Sequence, residues 1–271
     1  MSELPLVIEP EQLQQHLNDD NLLIVDLSKQ AQYAQAHIPG AVFLDYGYIV
    51  GASNPVMGLL PDADQFSQAL SSIGFSEDKH IVAYDEEGGG KAARLIWTLH
   101  AAGFFKTSLL NGGLISWYRE QHPLSADPVA IRPRDYEAHF TNMDVVADAD
   151  YIKQQLERDD FGLLDARSLE EYTGARRYAA RGGHIPGAKR FEWTQGMDAD
   201  HNYRLLPVDT LKPQLAELGL TDDKEIVVYC QTHHRSALSY LMLKYLGYER
   251  VRGYPGSWSD WGNRNDTPIE E

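Results

Sequence analysis

Cysteine is all but missing from this sequence: Cys230 is the only one in 271 residues. No intramolecular disulfide can form, and one thiol cannot supply a zinc-ribbon or iron–sulfur ligand set. Long apolar runs are missing too, none approaching the roughly 18 residues of a membrane helix. The opening MSELPLVIEP carries Glu3 where a signal peptide would be positive, and it holds no long apolar core. These features predict a soluble, cytoplasmic protein with no membrane partner. Positive charge is scarce: 24 Lys and Arg stand against 40 Asp and Glu, a net charge of −16. Nucleic acid and anionic membranes both require a basic face, so neither is an expected partner. An anionic substrate would need a local positive exception. What remains is an ordinary globular mix, 43% hydrophobic and 24% charged. At roughly 100–200 residues per domain, the length favours two domains.

The chain repeats itself, with order preserved and small drifts in spacing. VIEPEQLQQHLNDDNLLIVDLS is answered by VADADYIKQQLERDDFGLLDARS, with Val7 and Asp26 matching Val146 and Asp165, 139 residues on. HIPGA begins at His37 and again at His184, 147 residues on, so the second copy gains eight residues in between. Lys79 then matches Lys224 at 145, and Gly103 and Trp117 match Gly247 and Trp261 at 144. This assigns residues 1–124 to a first domain, 125–141 (with two prolines) to a surface-packed linker, and 142–271 to a second domain.

Within each copy, short β-branched runs such as HIVAYD and EIVVYC stop at a polar residue, as buried parallel strands do. Helical patterns separate them, at 11–17, 63–73, 92–102, 150–157, 208–218 and 236–246. Leu238, Leu241, Met242 and Tyr245 recur at helical spacing and predict one buried face for the last. Alternation of this kind predicts an α/β fold, two tandem domains each with a parallel sheet flanked by helices.

Features shared by both copies read as scaffold. His37 and His184 open the same rigid Pro-Gly turn, and Asp26 and Asp165 are strand-end carboxylates suited to tying down a turn. Chemistry belongs where the copies diverge. The first continues HIVAYD-EEGGGKAARL and the second EIVVYC-QTHHRSALSY, so Asp85 stands where Cys230 stands. Ligands bind at the carboxyl ends of parallel strands. The loop Cys230–Arg235 also meets a helix N-terminus, whose free N–H groups favour an anion. A thiolate is such an anion, and at helix N-termini or beside cations cysteine pKa values fall from about 8.5 to about 3.5–7.5. His233, His234 and Arg235 add potential cations. A metal site on Cys230, His233 and His234 would distort the loop and lacks a fourth ligand, so no metal is expected. The run Gly88–Gly90 before Lys91 lacks the phosphate-loop spacing, because Ala92 stands where Ser or Thr should hold magnesium; it reads as a flexible loop.

With the HIPGA turn in each copy, a strand-end Asp in the first and a strand-end Cys in the second, nearly the whole chain resembles a tandem-domain rhodanese, a thiosulfate:cyanide sulfurtransferase. The resemblance places the sulfur-accepting cysteine on Cys230, with Gln231, Thr232, His233, His234 and Arg235 as the substrate-binding loop. CQTHHR departs from the best-known animal loops, which end in Gly-Val-Thr, and is similar to that of certain bacterial thiosulfate rhodaneses. Animal enzymes carry a substrate-binding arginine where this chain has Glu171. The insertion of the second copy brings Arg176, Arg177 and Arg181, which are expected to make the site mouth positive, the competing reading being a solvated loop.

The resemblance implies sulfur transfer from thiosulfate to a thiophilic acceptor (cyanide in assay, or a thiol) through a covalent cysteine persulfide, with no cofactor. The first copy is expected to be non-catalytic, since Asp85 cannot hold a sulfane sulfur. Three alternatives stay open. One is a persulfide carrier that hands sulfur to a partner protein. Another is a 3-mercaptopyruvate sulfurtransferase, whose usual CGSGVT or CGTGVT loop differs from this one. The last is a phosphatase of the dual-specificity kind, which would need Cys-x5-Arg where this chain has Cys-x4-Arg.

Overall fold

The β-branched runs that end beside Asp85 and Cys230 are the fully buried central strands of two parallel sheets. The computed structural model describes residues 4–271; Glu3 lies outside them. In chain order the first repeat runs β1 (Val7–Ile8), α1 (Pro10–His16), β2 (Leu22–Asp26), α2 (Gln30–Gln35), β3 (Val42–Phe43), the hairpin β4 (Gly51–Ser53) and β5 (Val56–Leu59), α3 (Ala63–Ser72), β6 (His80–Tyr84), α4 (Gly90–Ala101), β7 (Thr107–Leu110) and α5 (Gly113–Arg119). The second runs α6 (Ala149–Gln155), β8 (Phe161–Asp165), α7 (Leu169–Tyr172), β9 (Lys189–Arg190), β10 (Met197–Asp198), β11 (Arg204–Leu205), α8 (Val208–Glu217), β12 (Glu225–Tyr229), α9 (Arg235–Tyr245), β13 (Val251–Gly253) and α10 (Ser257–Trp261). Each helix predicted from periodicity is present within two residues of its expected ends.

The first sheet has the order β1-β7-β6-β2-β3 and the second β13-β12-β8-β9, all pairs parallel. Val146, the match of Val7, makes only a single parallel bridge to Gly253, so the strand equivalent to β1 is reduced to one residue. The cores repeat as well. Ile38, Ala41, Val82, Tyr84 and Trp117 pack in one; Ile185, Ala188, Val227, Tyr229 and Trp261 fill the same places in the other.

The chain folds as two compact units that follow the repeats except at two short segments. Residues 51–60 belong with the second sheet, and 198–205 with the first. The reason is polar pairing at each segment. The Met57 N–H donates to Ser259 Oγ (3.0 Å) and its carbonyl accepts from the same hydroxyl (3.0 Å). Arg204 pairs with Glu9 (2.6 Å), Glu11 (2.8 Å) and Glu120. Residues 125–141 contain no helix or strand and lie on α3, where Phe140 stacks on Phe66 and the Ala138 N–H donates to Ser67 Oγ (2.9 Å).

Helix α9 departs from the expected single buried face. Ser236 to Leu243 are all buried, because the small residues Ser236, Ala237 and Ser239 let neighbours close over the remaining side, while Tyr245 is exposed. The scaffold residues repeat their bonds: His37 stacks on Tyr33 and His184 on Tyr172, and the Tyr84 and Tyr229 hydroxyls accept from the Ile38 and Ile185 N–H groups. Asp26 accepts from Ser28 and Asp165 from Arg167, each closing the turn after its strand. Among the described residues no helix is long and apolar enough to cross a membrane.

Candidate active site

Strand β12 is flanked on both sides by parallel strands, so its carboxyl end opens onto the crevice left by the loops that follow them. Cys230 is the next residue, and α9 begins five residues later at Arg235. Ser257 shapes the turn between them. Its hydroxyl accepts from the Cys230 N–H (3.2 Å) and the His233 N–H (3.1 Å) and donates to the Tyr254 carbonyl (2.7 Å). The Trp258 N–H donates to the Cys230 carbonyl, and the Ser259 N–H to that of Gln231, both at 3.0 Å. His233 and Ser257 both sit in the left-handed region, at φ 52° and 50°. Such residues cost about 1–3 kcal/mol each and persist only where surrounding bonds over-determine them, as here.

The Cys230 thiol is buried, but not among hydrocarbons. Burial pushes its pKa up; the Arg235 charge, the Ser236 hydroxyl and the N–H groups of Ser236 and Thr232 together more than offset this, and the pKa falls below that of an ordinary thiol. The sulfur therefore lies within the loop rather than at an exposed mouth.

The first repeat supplies a chemical test of the same loop. Asp85 and α4 are spaced as Cys230 and α9 are, and the carboxylate fills the turn. Oδ1 accepts from the N–H groups of Glu87 (2.9 Å) and Gly89 (2.8 Å), Oδ2 from those of Lys91 (2.8 Å) and Ala92 (3.0 Å). Four amides converge on one buried anion. The expectation of a flexible glycine loop is corrected here. Gly88 and Gly89 have φ 98° and 118°, conformations that aim the N–H groups at Asp85 and that a Cβ would disfavour.

The residues expected at the substrate are distributed unevenly. The Arg235 guanidinium forms a two-pronged pair with Glu171 (2.6 and 2.8 Å). Gln231 donates to the Tyr178 carbonyl (3.3 Å). His233 is fully buried with Nδ1 on Ser236 Oγ (2.8 Å), so it braces the loop and is closed to solvent. The His234 ring faces Trp193 at 6.2 Å. Arg235, Gln231, Glu171, Ser168, Arg176 and Tyr178 line an open cleft of about 450 Å3. Of the three inserted arginines only Arg176 is there. Arg181 is anchored instead to the carbonyls of Trp261 (2.8 Å) and Thr267 (2.9 Å), and Arg177 lies over Gly174, so the expected three-arginine mouth shrinks to one. Among the described residues the one cluster with metal-type ligands is Glu11, Glu120 and His122, which excludes Cys230, His233 and His234; there Arg204 already pairs with both glutamates.

Three contributors were not singled out from sequence. From sequence, Glu171 shows only as the absence of an arginine. Ser257 matches Gly113, where a Cβ would come within 2.5 Å of the Asp85 carbonyl oxygen, so comparing the copies could have flagged it. Gly58 of β5 abuts the loop, with the position of its missing Cβ 2.1 Å from the Thr232 carbonyl oxygen; no sequence signal pointed to it.

Two parallel-sheet repeats, each with an equally spaced loop that turns from the end of its central strand into a helix, define the class, and a profile of the Rhodanese-like domain matches residues 9–120 and 148–264. The chain belongs to the rhodanese family. It is 45% identical to the thiosulfate sulfurtransferase of Azotobacter vinelandii, over 98% of this chain and 97% of that one. It is 42% identical to the thiosulfate sulfurtransferase of Pseudomonas aeruginosa, over 99% and 98%. The fold is shared with the anaerobic ergothioneine biosynthesis enzyme of Chlorobium limicola, at TM-score 0.84 and 22% identity, covering 98% of this chain and 70% of that one.

Proposed function

We propose that this protein is a thiosulfate sulfurtransferase that carries sulfur as a persulfide on Cys230. The observation that carries this reading is the paired loops: one cradles a carboxylate with four amides, and the other, equally spaced, presents a thiol of lowered pKa to equivalent amides. The Cys230 thiolate attacks the outer sulfur of thiosulfate. The sulfur–sulfur bond of the donor breaks, its electron pair leaves with sulfite, and a cysteine persulfide anion remains. A thiophile such as cyanide then attacks the terminal sulfur, forms thiocyanate and returns the thiolate. Two steps through one covalent intermediate give ping-pong kinetics. The loop amides stabilise the persulfide anion as an oxyanion hole stabilises alkoxide. The reaction calls for no cofactor and no metal, because every electron pair moved belongs to sulfur or carbon. A lone reduced thiol suits the cytoplasm.

The Cys-x4-Arg spacing makes a cradle one residue shorter than a phosphatase loop, which fits a sulfur atom better than a tetrahedral phosphate. The decisive experiment is intact mass after thiosulfate treatment. One added sulfur atom that disappears on adding cyanide is expected; an unchanged mass, or hydrolysis of an aryl phosphate in its place, overturns the reading. If the loaded sulfur passes to a partner protein and not to small thiophiles, the protein is a carrier.

A further inference from the structure

We propose that Glu171 is a specificity-determining residue, which neutralises Arg235 and so sets the charge of sulfur donor that the site accepts. The inference rests on the reading of Cys230 as the sulfur acceptor. Glu171 is nearly buried, and Ser168 holds it in place: the Ser168 N–H reaches Glu171 Oε2 (3.3 Å), and the Glu171 N–H donates to Ser168 Oγ (3.4 Å). From there both carboxylate oxygens meet the Arg235 guanidinium. The pair exists only in the repeat that has the thiol. The spacing that relates Asp26 to Asp165 puts Gln32 at the position of Glu171, and the loop register puts Gly90 at that of Arg235.

Arg235 is the loop's strongest positive influence on the sulfur. Asp165 and Arg167, the other charges acting on the pair, satisfy each other through Nη2 and Oδ2 at 2.6 Å. With the thiolate formed, Cys230, Arg235 and Glu171 sum to one negative charge. A dianionic donor entering the cleft therefore gains little from Arg235 and relies on Arg176, the other cation at its wall. Without the carboxylate, Arg235 would act on donor and sulfur with its full charge. A merely structural Glu171 predicts the opposite, since losing it would loosen the loop and weaken both effects.

The test is Glu171→Gln in the full chain, with Glu171→Ala as a second charge-removing variant and Glu171→Asp as the charge-keeping control. KM is compared for dianionic thiosulfate and monoanionic methanethiosulfonate. The pKa of Cys230 is read separately from the pH dependence of alkylation by uncharged iodoacetamide. Expected for loss of the charge is a fall of about three- to tenfold in the thiosulfate KM relative to the monoanion, with a lower thiol pKa. Glu171→Asp should keep the wild-type ratio. An unchanged or reversed ratio, or a raised thiol pKa, in a variant that still transfers sulfur overturns the proposal. Failure of the wild-type protein to take up sulfur at all would instead sink the reading of Cys230.

Discussion

Cys230 is defined by its neighbours more than by its identity: two backbone amides, a serine hydroxyl and a guanidinium act on one buried sulfur. Cys230→Ser keeps the volume but has no sulfur to load. Sulfur transfer should fall by at least about a thousandfold while the thermal melt is unchanged, and retention of a few per cent activity would refute the assignment. The lowered pKa carries a sign that alkylation can check. The thiolate should predominate at pH values where an ordinary cysteine is still protonated, so the alkylation rate should reach its plateau at lower pH than for a model thiol. Arg176 and Arg181 separate function from structure within one insertion. Arg181→Ala strips hydrogen bonds from the Trp261 and Thr267 carbonyls and should cost roughly 1–3 kcal/mol in denaturant unfolding, with the thiosulfate KM unmoved. Arg176→Ala should do the reverse, raising that KM at little cost in stability.

Among the elements, the hairpin β4–β5 is the least expected participant. It comes from the first repeat yet packs with the second sheet, and Gly58 lets it approach the Thr232 carbonyl. Gly58→Ala should displace the loop, lowering the turnover rate and slowing alkylation of Cys230. Gly219→Ala is the control: its φ of 73° is as positive as the 75° of Gly58, but its Cβ would meet open space. Equal effects of the two would assign the loss to backbone strain and not to contact with the loop. The longer helices were legible because their periodicity extends over two or more turns. Helices α2, α7 and α10, at six, four and five residues, are too short to show a period; a capping box on Ser168 starts α7 and burial holds α10, while α2 has neither a side-chain cap bond nor a buried residue. Hairpin β4–β5 was invisible because its role depends on a neighbour some 170 positions away along the chain.

At the level of the whole molecule, acid stability should reveal a residue remote from the chemistry. Burial, reinforced by the Lys106 charge, lowers the His80 pKa from 6.5 to about 4. The ring is held in β6 with Nε2 on Ser108 Oγ (2.8 Å). As pH falls through 6.5 the unfolded chain takes up this proton, and the folded chain does so only near 4. The unfolded state binds more protons across that window, so folding stability falls with pH within it and the residue contributes no further loss below. Melting temperatures from neutral pH to about 4 should show this component, and His80→Gln should lack it; an identical pH profile in the variant would exclude His80 as its source. Loading should also be singular, one sulfur per chain, since the first repeat fills its own cradle with Asp85.

What the amino-acid order determined by itself is everything carried by short-range pattern and by comparison of the two copies. That covers the duplication, the parallel α/β sheets, the strand-end Cys230 with its six-residue loop, and the asymmetry with Asp85. Strand alternation, helical period and the register of one copy against the other need no knowledge of distant neighbours. Only the folded chain decided that Glu171 grips Arg235, that Ser257 bends the loop, that Gly58 presses on Thr232, and that Arg181 is an anchor and not part of the cleft. Each of these joins residues from 24 to more than 170 positions apart, and a pairing at that range is set by how sheets and helices pack, which no local pattern encodes.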